Sequence, residues 1–191
     1  MSVRAVVEIG DPVLRERARE LSPEEISSPT IQKLIDDLIE TKRAMHGAGI
    51  AANQVGEPVR VAIVEVEEGN PRYPYKPPVP LTVMVNPTIE PLGDETVEIN
   101  EGCLSVPDLR GSLPRHLAVR VRFLDREGSE HDEVKRGLTA GTFQHEVDHL
   151  DGVLFVDRAD PRTFATWEQF DRHQRDDFVR RVARLVEEPE S

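Results

Sequence analysis

Two histidines four residues apart, with a glutamate directly after the first, stand at His145-Glu146-Val147-Asp148-His149. On a helix this spacing sets both imidazoles on one face, one turn apart, where they can grip a single divalent metal ion. Glu146 then projects beside the metal's open position, where a general base belongs. The same residues on an exposed helix would be two solvated histidines. Asp148 and Asp151 are candidates to accept the second N–H of the imidazoles, as carboxylates behind ligating histidines commonly do. They serve equally well as solvated helix charges.

A catalytic site of this kind uses three protein ligands and keeps a fourth position for water or substrate. A three-histidine arrangement would need a histidine six residues beyond His149, and that position is Phe155. A glutamate from a following helix is a second option, for which Glu168 lies at a suitable distance. Cys103, in Glu101-Gly102-Cys103-Leu104-Ser105-Val106-Pro107, is the third, although an isolated cysteine is more often simply buried core. Spacing alone leaves Glu168 and Cys103 both open. His46, His116, His131 and His173 fall outside the pattern and read as surface or packing residues.

The elements that must position these groups are legible in part. Leu138 to Leu150 contains no proline and stops at Gly152, as a buried helix with a glycine C-terminal signal would. Gly141 inside it costs about 1 kcal/mol relative to alanine, which suggests a packing or pocket reason for its presence. Ser28-Pro29 precedes Ile31, Leu34, Ile35, Leu38 and Ile39, one apolar helical stripe ending near Gly47. Val59–Val66 and Leu81–Val85 are β-branched runs separated by the rigid Pro71–Pro80 stretch, and Thr96–Asn100 is a further short strand. Leu117 to Phe123 alternates apolar residues with Arg120 and Arg122, as a half-buried strand does. Pro161 to Glu187 carries Phe164, Trp167, Phe170, Phe178, Val182 and Leu185 on helical spacing and is expected to form one surface helix. The reading is an α+β fold: a single compact domain over 1–191, mainly antiparallel strands around a central metal-binding helix, with N-terminal and C-terminal helices and a frayed tail at 187–191.

Bulk composition agrees. The chain has 191 residues, 38% apolar and 31% charged, within the range of one globular domain. Its 36 acidic against 24 basic residues give a net charge of −12, which argues against a specific nucleic-acid ligand. Arg172, Arg175, Arg180, Arg181 and Arg184 are candidates for a basic face transiently near the ribosome, but the acids between them favour solvated ion pairs. One cysteine permits no intrachain disulfide, and no stretch has the length and apolarity of a membrane span, so the expected location is cytoplasmic.

Three segments taken together resemble the peptide deformylase family: Gly47-Ala48-Gly49-Ile50-Ala51-Ala52-Asn53-Gln54, then Glu101 to Pro107, then Gln144-His145-Glu146-Val147-Asp148-His149-Leu150. The resemblance extends over most of the chain between Val6 and Arg158, with Ile50 where the first motif often has leucine. It implies hydrolysis of the formyl group from an N-formylmethionyl peptide or nascent chain, with release of formate. It implies Cys103, His145 and His149 as ligands of one divalent metal, usually Fe(II), with Zn, Ni or Co able to take its place. Glu146 is then the proton shuttle, while the Gln54 amide and the Leu104 backbone N–H face the oxyanion. Gly49, Ile50, Val106 and Leu138 are expected around the substrate, and Glu101 is expected to brace its loop, by backbone hydrogen bonds or through an arginine such as Arg110.

Overall fold

The computed structural model describes residues 2–183 and residue 185; the tail expected to fray at 187–191 lies outside the described residues. After a short helix α1 (Pro23–Ile26), helix α2 (Pro29–Ala44) starts where the Ser28 hydroxyl accepts from the Ile31 N–H and Pro29 takes the first turn. Lys42 and Arg43 occupy its last turn, where cations suit the helix dipole. The expected stripe Ile31, Leu34, Ile35, Leu38 and Ile39 is buried.

That stripe lies on a five-stranded antiparallel sheet in the order β1 (Gly49–Ala51), β2 (Val61–Val66), β3 (Val79–Pro91), β6 (Ala118–Leu124), β7 (Glu130–Arg136). Strand β2 is buried at every position because both sheet faces are covered. Val61 and Ile63 point into the cluster with α2, and Ala62 and Val64 into a second cluster with Ala140, Phe143 and Leu150 of helix α3 (Gly137–Leu150). Helix α3 is thus the central helix, held by the sheet on its apolar side. It ends at Asp151, after which Gly152 turns with φ +75°; a β-carbon there would also sit 2.6 Å from the Arg15 carbonyl oxygen.

A separate antiparallel pair, β4 (Thr96–Cys103) and β5 (Val106–His116), carries the cysteine segment to α3. Strands β5 and β7 lack the sequence signal of strands, and Thr96–Asn100 extends to Cys103. Val106 and Pro107 open β5.

The single C-terminal helix expected over 161–187 is instead a turn at Pro161–Thr163, helix α4 (Trp167–His173) and helix α5 (Arg175–Val182), divided at Gln174. In one straight helix Phe170 and Phe178 would lie about 12 Å apart along the axis. The break brings their ring centroids to 5.9 Å and lets both join Ile99 and Leu138 in one cluster.

Candidate metal centre

Cys103 comes from the end of β4, and His145 and His149 from the face of α3 turned toward it. One donor atom from each residue lies within 4.8 Å of the other two. The Cys103 Sγ is 3.2 Å from His149 Nε2, and the two imidazole centroids are 4.9 Å apart. Burial pushes the Cys103 thiol up, but His149 and His145 outweigh it and hold the thiol at about 5, so the sulfur is available as a thiolate. A thiolate and two imidazoles on a rigid strand and helix match the three-ligand set of a catalytic first-row metal site with one position left open.

The groups behind the candidate ligands differ from those considered in the sequence. Glu101, not Asp148 or Asp151, accepts from an imidazole: its Oε2 is 2.8 Å from His145 Nδ1, which turns Nε2 toward Cys103. Arg115 grips the same carboxylate with two bonds, Nε to Oε1 at 2.7 Å and Nη2 to Oε2 at 2.9 Å. Although burial opposes it, Arg115 and His145 hold the Glu101 carboxyl well below the usual carboxylate range. The expected partner Arg110 lies on the other face of β5. Residues directly opposite across the pair share a face, so Glu101 and Gly111 set one face and Gly102 and Arg110 the other. Arg110 accordingly bonds Asn100 and Tyr75, while Arg115 shares the face of Glu101. Asp148 is taken by Arg115 and Arg158, and Asp151 by Arg60.

Glu146 is buried beside the three donors, and its Oε2 has no hydrogen-bond partner among the described residues. Burial raises its pKa, with His145 and His149 pulling the other way. Gln54 is fixed by accepting from the Ala51 N–H at 2.9 Å, which aims its amide nitrogen at Ser105 Oγ (3.0 Å) and Cys103 Sγ (3.4 Å).

A cleft opens beside Glu146, lined among others by Gly49, Gln54, Leu104, Ile99, Leu138 and Gly141. Two residues expected there are elsewhere. In β1 the side chains alternate across the strand, and Ile50 enters the core under α2. Val106 opens β5 and packs in one cluster with Cys103, Leu113, Leu154 and Phe155. Gly141 has a double role: it borders the cleft, and a β-carbon on it would meet Ile99 Cδ1 at 2.5 Å. Ile99, Tyr73 and Lys76 also line the cleft and carried no sequence signal.

Glu168, the rival third ligand, is an exposed residue of α4 bonded to Arg172, and it is not in the metal-binding group. The C-terminal arginines are likewise engaged: Arg175 with Asp171, Arg180 with Asp177, Arg181 with Glu98; Arg184 lies outside the described residues. No helix among the described residues is long and apolar enough to cross a membrane.

Comparison with known proteins fits this geometry. The family profile described as polypeptide deformylase matches residues 3–165. The chain is 43% identical over 158 residues to a peptide deformylase of Leptospira biflexa, covering 83% of this chain and 88% of that one. Its fold is similar to the class I type b peptide deformylase of Acinetobacter baumannii with Met-Ala-Ser bound, at a TM-score of 0.79 and 42% identity, covering 83% of this chain and 99% of that one. A peptide deformylase of Thermotoga maritima is similar at a TM-score of 0.73 and 33% identity, covering 84% of this chain and 100% of that one.

Proposed function

The chain belongs to the polypeptide deformylase family and is a hydrolase that removes the N-terminal formyl group of formylmethionine from newly made polypeptides; we propose that Cys103, His145, His149 and Glu146 carry that reaction. The observation that supports the assignment is the convergence of three donor atoms within 4.8 Å beside a buried carboxylate oxygen without a hydrogen-bond partner among the described residues.

Cys103, His145 and His149 would hold the metal, and when bound it supplies Lewis acidity that brings a water's pKa toward neutrality. The same donor set suits several first-row ions. Fe(II) is our choice for the native one, on the family resemblance, with Zn, Ni or Co as replacements. Glu101 and Arg115 keep the His145 ring in the tautomer and orientation a ligand needs.

Glu146 takes a proton from the attacking water at its free Oε2 and returns it to the departing amine, leaving formate and a free N-terminus. As the formyl carbon becomes tetrahedral, the Gln54 amide nitrogen and the Leu104 backbone N–H would donate to its oxygen. Gln54 is suited to this because its own carbonyl oxygen is tied to the Ala51 N–H, which fixes the amide plane, and one amide N–H would turn from Ser105 Oγ or Cys103 Sγ to the substrate oxygen. Leu138, Ile99 and Gly141 receive the side chain of the formylated residue. Nearness to the ribosome follows from a nascent-chain substrate rather than from a basic face. A chain with one cysteine acting on such substrates belongs in the cytoplasm.

The test is Glu146→Gln, followed by formate release and metal content in one anaerobic sample. Metal should be retained while turnover falls by a factor of about 10² to 10⁴, the usual contribution of general acid–base catalysis. Undiminished turnover would remove Glu146 from the mechanism.

A further inference from the structure

Lys76 stands at the cleft with two donors to spare. It belongs to the Pro-rich segment between β2 and β3, which is pinned over the site by Tyr73, itself buried and edge-on to Tyr75 and Trp167. The Lys76 ammonium donates to the Thr142 hydroxyl at 2.8 Å, its one hydrogen bond among the described residues, and it forms no ion pair among them. Thr142 spends its own proton on the Leu138 carbonyl at 3.2 Å. An ammonium carries three N–H groups, so two remain uncommitted. The Tyr73 ring, 4.9 Å away, adds cation–π attraction but accepts no conventional hydrogen bond. Burial lowers the pKa of Lys76 to about 8; Glu101 and Glu146 draw it up, and Arg110 and Arg115 push it down. The group is therefore still largely a cation at neutral pH.

Its location follows from α3. Leu138, Thr142, His145 and His149 recur at intervals of four, three and four and share one helix face. Thr142 lies about 4.5 Å along the axis from His145. A substrate with its formyl group at the metal ligands and its side chain against Ile99, Leu138 and Gly141 places the side-chain tip near Thr142. Lys76 and Thr142 line the same cleft as Ile99, Leu138 and Gly141, so a side chain entering it runs beside the ammonium.

Resting on the deformylase reading, we propose that Lys76 is a specificity-determining residue that reads the far end of the side chain on the formylated residue and favours an oxygen acceptor there. The chemical class is a formyl peptide whose first residue carries a side-chain sulfoxide, the oxidised form of methionine. A thioether is a weak acceptor and a hydrocarbon of equal length is none, so the latter offers the two free N–H groups no partner.

The test compares kcat/KM for three formyl peptides identical beyond the first residue, which is methionine sulfoxide, methionine or norleucine. In the unaltered enzyme the sulfoxide peptide should equal or exceed the norleucine peptide. Lys76→Met should shift the sulfoxide-to-norleucine ratio by about tenfold toward norleucine, the scale of one charge-assisted hydrogen bond. Thr142→Val, which frees the ammonium from its anchor, should move the ratio the same way and less far. A ratio untouched by Lys76→Met overturns the proposal. So does an unaltered enzyme that turns over the sulfoxide peptide at a tenth or less of the norleucine rate, a result that holds even if a variant fails to fold. Absence of formate from all three peptides would instead bring down the deformylase reading itself.

Discussion

Gly49 faces Glu146 so closely that a β-carbon at residue 49 would lie 2.3 Å from Glu146 Oε1 and 2.5 Å from its Cδ. Real β-carbons do not approach so near, so the carboxylate could keep its place only if residue 49 is glycine or the backbone retreats. Gly49→Ala should leave the ligands and metal content intact while displacing Glu146 by roughly 1 Å, a shift that can cost about 10² in rate. Formate release from a formyl-Met peptide, read beside metal content, checks this. Wild-type turnover would mean that Glu146 need not stand where it does.

Glu101 links the metal helix to strand β5 by serving His145 and Arg115 at once. Glu101→Gln keeps the shape and removes the charge that orients His145. Metal affinity should fall by about 10- to 100-fold, the usual cost of losing such a partner. Competition against a graded series of chelators measures it, and an unchanged affinity would show that His145 is held by other means.

These two residues also mark what the sequence could tell. The pairing of His145 and His149 on α3 was legible because four-residue spacing on a helix is enough to bring them together. Cys103 was legible only through resemblance, since nothing local says that β4 returns to α3 across more than forty residues. Arg115 was missed as the partner of Glu101 because β5 was not read as a strand: Pro107, Gly111 and Pro114 suppress its signal. Once its register with β4 is known, the pleat alone selects Arg115 over Arg110. β7 escaped notice because Glu130–Arg136 is dominated by charges, at home on a sheet edge that pairs only with β6. Ile50 and Val106 were placed by nearness in sequence, whereas adjacent strand residues point to opposite sides.

Glu65 tests the support beneath the first motif. Its carboxylate binds Arg43 and the buried Lys42, whose ammonium also donates to the Glu65 carbonyl, and the Glu65 N–H donates to the Ala48 carbonyl beside Gly49. Arg43 first, against burial and with Lys42 assisting, holds Glu65 at about 2. An unfolded glutamate titrates near about 4.3, so between these values the unfolded chain binds more protons than the native one. The stabilisation is complete above about pH 4.5 and fades as pH falls toward 2. Glu65→Gln should cost about 3–5 kcal/mol at neutral pH, because Lys42 is left buried and unpaired. Urea denaturation of both proteins across the acid range should show the difference shrinking from pH 4.5 downward; a gap independent of pH would place the stabilisation elsewhere.

The ligand set is most directly tested by metal-edge X-ray absorption on the zinc-loaded protein and its Cys103→Ala variant. The expected first shell is one sulfur near about 2.3 Å with two imidazole nitrogens near about 2.0–2.1 Å, and the sulfur should vanish in the variant. A first shell of nitrogen and oxygen alone in the unaltered protein would contradict Cys103 as a ligand.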